Sequence, residues 1–304
     1  MRVVFFGTPD FALPSLKAAA ESGHEVAAVV TQPDRERDRK RVTFSPVKQA
    51  ALDLGLKVLQ FEKVSREGVE ELARLKADLF VTCAFGQILS QKVLDLPPLG
   101  TINVHGSLLP KYRGSAPIQW AVINGEKQTG ITIMRTVLQV DAGDILLQKK
   151  TDIGERETAG ELFDRLALLG GEVLTEALEL ISSGKAVYTP QKEDEATHCK
   201  MLGKKDGLLD FSADARSLDR RIRGLTPWPS AYTYFQGKLL KILKAEPADK
   251  SGEAGVIFSA DGDVYVGCGS GSLRLLQVQT EGGKRMEMKA FALGHKTEGV
   301  KLGR

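Results

Sequence analysis

Over its first 85 residues the chain alternates apolar strand-like runs with helical stretches, and that rhythm restricts it to a sheet covered by helices. Val3-Val4-Phe5-Phe6 is apolar throughout, as expected of a strand buried on both faces. Helical spacing over 11–20, closed by Gly23, leads into a second strand over 25–31, and together these make a βαβ unit. A helix over 45–54, a strand over 57–59, a helix over 69–76 and a strongly apolar strand over 78–84 repeat the pattern. The predicted fold class is α/β, with a doubly wound, mostly parallel sheet.

Helical spacing returns over 158–182, where Leu162, Phe163, Leu166, Leu169, Val173, Leu174, Leu178 and Ile181 mark one broad apolar face. Residues 188–206 are polar and aperiodic. Beyond them a helix over 213–223 precedes five short strands, over 232–235 and 238–245, near Val256, and over 264–268 and 273–278, which suggest a small β-barrel. With 304 residues and 42% hydrophobic content, the chain has material for two cores. The expected division is a catalytic domain over 1–187, a linker over 188–206 and a smaller domain over 207–304.

Composition and motifs exclude several classes. The loop after the first strand, Gly7-Thr8-Pro9-Asp10-Phe11, holds one glycine where a dinucleotide fingerprint needs three, and no GxxxxGK[ST] phosphate cradle occurs. No apolar run approaches the ~18 to 20 residues of a membrane span, and the opening run is too short for a signal-peptide core. A cytoplasmic protein with no membrane association is therefore expected. Cys83, Cys199 and Cys268 are far apart and odd in number, and His24, His105, His198 and His295 have no partner at ligand spacing, so neither a disulfide framework nor a metal site is expected.

The net charge is +3, and the excess is C-terminal: residues 206–304 carry 15 Lys and Arg against 12 Asp and Glu, the rest balancing at 27 against 27. Asp34-Arg35-Glu36-Arg37-Asp38-Arg39-Lys40-Arg41 packs five basic and three acidic residues together. It reads either as a solvated loop or as a basic arm that orders on phosphate.

Chemistry concentrates in Thr101-Ile102-Asn103-Val104-His105-Gly106-Ser107-Leu108-Leu109-Pro110. On a strand, Asn103 and His105 point to the same face, with room for an electrophile between them. Alone, such a pair is better explained by hydrogen-bonded structural groups. Val140-Asp141-Ala142-Gly143-Asp144, 36 residues beyond His105, changes that by adding a carboxylate on a loop between two strand-like runs. Asn, His and Asp together can carry acyl-transfer chemistry.

Followed by Lys111-Tyr112-Arg113-Gly114-Ser115-Ala116-Pro117-Ile118, the Asn103 to Pro110 segment resembles the core signature of the formyltransferases that use N10-formyltetrahydrofolate. Val140 to Asp144 resembles their aspartate loop, and the likeness extends over nearly the whole chain. Gly7-Thr8-Pro9-Asp10-Phe11, Thr31-Gln32-Pro33-Asp34 and Pro227-Trp228-Pro229 resemble the tRNA-directed branch, the last being shared with sugar-directed relatives. The resemblance implies a formyltransferase-type, Rossmann-like first domain and an OB-like C-terminal barrel. It also implies transfer of a formyl group from 10-formyltetrahydrofolate, a co-substrate used without a metal, to the α-amine of methionyl initiator tRNA.

Carried onto this sequence, the resemblance makes Asn103, His105 and Asp141 the catalytic trio. It assigns Ser107, Leu108, Leu109 and Pro110, with Phe85, Gly86 and Ile88, to the folate pocket, and Arg37, Arg39, Lys40 and Arg41 to the tRNA acceptor arm. The basic loop departs from the family in lacking a Gly-rich stretch and in placing acids between its arginines, and Arg39 is the first candidate to insert. Asn103 and His105 are expected to donate to the oxyanion formed by amine attack, with Asp141 holding the His105 proton. Cys83 is expected to be structural, and the protein a monomer. The rival readings are a formyltransferase acting on an amino sugar nucleotide, a formyltetrahydrofolate hydrolase, and a non-catalytic folate- or RNA-binding protein.

Overall fold

The computed structural model describes residues 1–37 and 41–303, which form two compact units. The first comprises Met1–Pro117, Gln128–Asp152 and Phe163–Cys199, and the second Ile118–Lys127, Ile153–Leu162 and Lys200–Arg304. Elements run β1 (Arg2–Gly7), α1 (Leu13–Glu21), β2 (Glu25–Thr31), β3 (Arg35–Arg37), β4 (Arg41–Thr43), α2 (Pro46–Asp53), β5 (Val58–Gln60), α3 (Val64–Glu67), α4 (Val69–Arg74) and β6 (Leu79–Cys83). They continue with α5 (Gln91–Leu94), β7 (Thr101–His105), β8 (Arg113–Gly114), α6 (Pro117–Asn124), β9 (Gln128–Arg135), β10 (Ile145–Asp152), α7 (Ala159–Ser182) and β11 (His198–Cys199).

The main sheet has the order β10-β9-β7-β6-β1-β2-β5. β1, β2, β5, β6 and β7 are parallel, and β9 and β10 extend the sheet antiparallel beyond β7. From β1 the chain moves outward through β2 to β5, then returns to β6 on the other side of β1 and goes on to β7. Its direction therefore reverses between β1 and β6, and the carboxyl ends of strands beside such a reversal are where open α/β sheets hold ligands.

Helices lie on both faces. Val4, Phe6, Ala28, Val30, Leu59 and Phe80 pack beneath Val64, Leu72, Val93 and Leu94 from α3, α4 and α5. On the opposite face α7 approaches so closely that a Cβ at Gly170 would lie 3.1 Å from Val104 Cγ1, and Phe163 packs against Phe11 at 5.1 Å. Coverage on both sides is why β1 has no alternation to read; complete burial of Phe5 and Phe6 stabilises by roughly 1.5–3 kcal/mol each. The lone glycine of the first loop answers to packing, since a Cβ at Gly7 would lie 2.8 Å from the Phe5 ring and 2.9 Å from Ala12 Cβ. α2 starts where Ser45 caps it, its Oγ accepting from Lys48 N at 3.1 Å, with Pro46 in the first turn.

The second unit carries α8 (Ala215–Gly224), β12 (Tyr232–Phe235), β13 (Lys238–Ala248), β14 (Ile257–Ala260), β15 (Asp263–Gly267), β16 (Ser272–Thr280), β17 (Arg285–Glu287) and α9 (Met288–Gly294). Its sheet is antiparallel, in the order β12-β13-β16-β15-β14, with β17 added to β16. The outer strands are linked through the C-terminal tail: Gly303 N donates to Tyr234 O at 3.1 Å, Leu302 N to Gly255 O at 2.7 Å, and Ile257 N to Val300 O at 2.9 Å. The result is a half-barrel bridged by irregular chain. β17 and α9 are not foreseen from the sequence; α9 is held by buried Met288 and Phe291, too short a run for periodicity to show. Among the described residues no helix is long and apolar enough to cross a membrane.

Candidate active site

Strand register assembles the polar side chains. Thr82 lies opposite Asn103, His105 opposite Thr132, and Thr132 opposite Gln148. Opposed residues share a face, so these five make a polar patch on β6, β7, β9 and β10, continuous with the face that is apolar around β1. Thr82 Oγ1 donates to Asn103 Oδ1 at 2.8 Å, which turns the Asn103 Nδ2 hydrogens away as the donor side of the half-buried residue.

His105 is buried, with Nε2 lying 3.0 Å from the Tyr112 carbonyl. A carbonyl can only accept, so Nε2 carries a hydrogen, and Nδ1 is the nitrogen that faces Asp141 Oδ2, at 3.6 Å. At that separation the contact is electrostatic rather than a hydrogen bond. Asp141 itself has a φ of 54°, in the left-handed region, and Gly114 N donates to its Oδ2 at 2.8 Å. Such a backbone conformation costs about 1–2 kcal/mol in a residue with a Cβ and persists only where surrounding bonds fix it. The following turn is equally constrained, because a Cβ at Gly143 would overlap the Arg135 carbonyl.

Beyond β7 the chain turns under Thr132, whose Oγ1 donates to Ser107 O at 2.6 Å and accepts from Leu109 N at 3.2 Å. Gln148 Nε2 donates to Leu109 O at 2.8 Å, and Ser107 Oγ to Lys111 O at 2.7 Å. Of the expected folate residues, Ser107, Leu109 and Phe85 are buried; Leu108 and Pro110 are half-buried, and Gly86 and Ile88 are exposed, Ile88 by 75%. Thr8 Oγ1 and Gln32 Nε2 both donate to Phe85 O at 3.1 Å, tying together the loops after β1, β2 and β6 beside the reversal point. The four expected tRNA contacts are less visible. Arg39 and Lys40 lie outside the described residues, and Arg37 and Arg41 are backbone register partners in the β3–β4 pair.

Residues 188–206, expected as a linker, are tied into the first unit as far as Cys199. Thr189 and Ile145 exchange backbone hydrogen bonds at 2.8 Å, and Thr197 O accepts from Arg113 N at 2.8 Å as β11 pairs with β8. Between these points Gln191 and Glu193 meet Arg113, which is 1% exposed. The Arg113 guanidinium holds the Glu193 carboxyl below its ordinary range. Arg113 stands within the signature segment, but its partners here are 78 and 80 residues away, and only the fold shows them. Burial pushes the Cys83 thiol up to about 12 and raises that of Cys199, conditions opposite to those that make a nucleophilic thiolate. Among the described residues no group of His, Cys, Asp and Glu is placed to hold a metal ion.

The profile of the formyl transferase family matches residues 1–178, and that of the formyl transferase C-terminal domain matches residues 201–296. A methionyl-tRNA formyltransferase of Caldanaerobacter subterraneus subsp. tengcongensis is 47% identical over 300 residues, which cover 97% of each chain. Among solved structures, an N-formyltransferase from Helicobacter canadensis in complex with folinic acid and dTDP-3-aminofucose aligns with a TM-score of 0.69 at 18% identity, over 90% of this chain and 98% of the other. HypX from Aquifex aeolicus in complex with tetrahydrofolic acid aligns with a TM-score of 0.66 at 20% identity, over 99% of this chain and 48% of the other. At those identities the two structures share the fold.

Proposed function

The chain belongs to the formyl transferase family, and from that premise we propose that it transfers a formyl group from 10-formyltetrahydrofolate to the α-amine of methionyl initiator tRNA, for translation initiation. The observation that carries the chemistry is the constellation itself: the donor side of Asn103 and the buried His105 with Asp141 Oδ2 3.6 Å from its Nδ1, all from loops and strands of one unit. Full-length likeness to a relative named for methionyl-tRNA favours that acceptor over an amino sugar nucleotide.

The folate, when bound, supplies the formyl group on N10. Leu108, Leu109 and Pro110 with Phe85, Gly86 and Ile88 hold it; an exposed Ile88 beside an exposed glycine, next to the strand-order reversal, suits a flat, partly apolar ring. Attack by the neutral amine places negative charge on the formyl oxygen. Asn103 Nδ2 donates to that oxygen, and His105, held at Nε2 by Tyr112 O, stabilises it from its Nδ1 side; one such donor is typically worth ~10² to 10³ in rate. Asp141 keeps the Nδ1 proton in place and, through a water, accepts the proton that must leave the attacking amine and be delivered to the departing nitrogen.

Recognition of tRNA rests on the charged segment over 34–41, with Arg37, Arg39, Lys40 and Arg41 toward the acceptor arm, and on the second unit, read as an OB-like barrel that adds backbone contacts. The C-terminal bias of the charge excess supports that division. The test offers formyl-folate with methionyl initiator tRNA, methionyl elongator tRNA or an amino sugar nucleotide. Formylation of the sugar alone overturns the acceptor, and inertness toward all three overturns the enzyme. Neutralising the four basic residues raises the KM for tRNA and flattens its salt dependence; an unchanged slope makes the segment a solvated surface.

A further inference from the structure

Asp141 needs more restraint than its own loop provides. Val137, Leu138 and Val140, which lead into it, are 43%, 56% and 56% exposed, so little apolar burial holds the segment. The backbone at Asp141 is left-handed, a conformation that surrounding bonds must impose. Two sets of bonds do so. Gly114 N fixes the carboxylate through Oδ2, and Gln191 Nε2 donates to Asp141 O at 2.8 Å and to Gly143 O at 2.7 Å, spanning the turn.

The chemistry of this contact requires glutamine. A primary amide has two N–H hydrogens, and both are used, one for each carbonyl. Its oxygen then faces Arg113, where Nε and Nη2 donate to Oε1 at 3.1 and 2.9 Å. Neither end can exchange places with the other, because the nitrogen meets only acceptors and the oxygen only donors. Arg113 is itself immobilised: Glu193 receives Nη1 and Nη2 at 3.0 and 2.7 Å on the remaining edge of the guanidinium. Arg113 also immediately precedes Gly114, so the carboxylate and the backbone of Asp141 are both referred to one dipeptide.

We propose that Gln191, anchored by Arg113, is a positioning residue for formyl transfer: it fixes the loop that carries Asp141 and so sets the carboxylate opposite His105. This rests on the reading of Asp141 as the partner of His105 in that reaction. Gln191 shares no hydrogen bond with Asn103 or His105, and both its ends bear on the Asp141 loop, the nitrogen through the Asp141 and Gly143 carbonyls and the oxygen through Arg113, which precedes Gly114.

The test compares Gln191→Glu, which keeps the contact to Arg113 but turns an acceptor toward the two carbonyls, with Gln191→Met, which keeps the volume and removes both functions. In the full chain, with formyl-folate and methionyl initiator tRNA, each lowers kcat by about 10- to 100-fold while KM for both substrates stays within about three-fold. In an Asp141→Asn background Gln191→Met causes no further loss, since nothing remains to be positioned. Amide hydrogen exchange over residues 136–144 accelerates about ten-fold or more in Gln191→Met, a readout that holds even if the wild-type chain were inert on every acceptor. Turnover within three-fold of wild type in both variants, a full further loss in the Asp141→Asn background, or unchanged exchange in the loop each overturns the proposal. Failure of Gln191→Glu to fold leaves Gln191→Met to decide it. Inertness of the wild-type chain with accelerated exchange in the variant refutes the reaction and keeps the clamp.

Discussion

Replacing Asp141 by Asn isolates the charge of the site from its shape. The amide oxygen can still accept from Gly114 N, 2.8 Å from the present Oδ2, and the Gln191 bonds go to backbone carbonyls that the substitution does not touch. What disappears is the negative charge facing His105 Nδ1. At the observed 3.6 Å, a pair of unit charges interacts by about 4–5 kcal/mol at an effective dielectric near 20. The side chains are 7% and 14% exposed, so solvent screens a part, and the substitution removes about 3–4 kcal/mol of interaction with positive charge that develops at His105 in the transition state. At about 1.4 kcal/mol per factor of ten, kcat falls ~10² to 10³-fold. The charge acts where charge develops, so folate affinity, measured by titration, and KM for tRNA stay within a few-fold. Steady-state formylation at saturating concentrations of both substrates, with melting curves as a check on folding, measures the effect. Turnover within ten-fold of wild type, or a loss confined to KM, refutes the assignment.

Asn103→Ala removes the donor outright and lowers kcat by ~10² to 10³-fold. Thr82→Val removes the bond that orients the amide, and with it the contact of the same hydroxyl to Ile102 O at 3.1 Å; a neutral hydrogen bond is worth about 1 kcal/mol, so kcat falls by about two- to ten-fold and always less than in Asn103→Ala. Equal losses in the two variants contradict Thr82 as an orienting group. A separate prediction concerns acid stability. Burial pushes the Asp34 carboxyl up, but hydrogen bonds from Lys48 and Gln60 and the Lys48 charge outweigh it and hold the group below its ordinary value of 3.8. A carboxyl lowered by folding stabilises above its unfolded pKa and loses that contribution as pH falls through the folded value. Asp34→Asn therefore melts below wild type at pH 7, and the gap narrows and closes as pH drops below about 3.8. A gap constant down to pH 2 in thermal melts rules the ion pair out as its source.

The sequence announces those parts of the site that depend on one strand's own period. Asn103 and His105 share a face because side chains alternate, and β1, β2 and β6 stand out because coverage on both sides leaves them predominantly apolar. Thr82, Thr132 and Gln148 are single polar residues in strands, and nothing local marks them; their meaning comes from register, which brings Thr82 beside Asn103 across 21 residues and Gln148 beside Thr132 across 16. Gln191 is the hardest case. The polar, aperiodic composition around it reads as solvated chain, yet its amide is consumed by partners 48, 50 and 78 residues away. Polarity of a segment does not distinguish groups bonded to water from groups bonded to distant backbone. The closure of the second unit's sheet is hidden for a related reason, since the tail that bridges β12 and β14 pairs through scattered single bonds and carries no strand pattern.

The chain passes between the two units five times, at 117/118, 127/128, 152/153, 162/163 and 199/200. No single cut separates them: severing the chain after Cys199 leaves Ile118–Lys127 and Ile153–Leu162 on the fragment to which they do not belong. Exchange of a C-terminal half between relatives by one recombination event transfers only part of the second unit and must inherit the rest from the recipient. Chimeras in which the second unit is to be exchanged between family members therefore need three matched segments, and divergence in the two short ones constrains which parents can be combined.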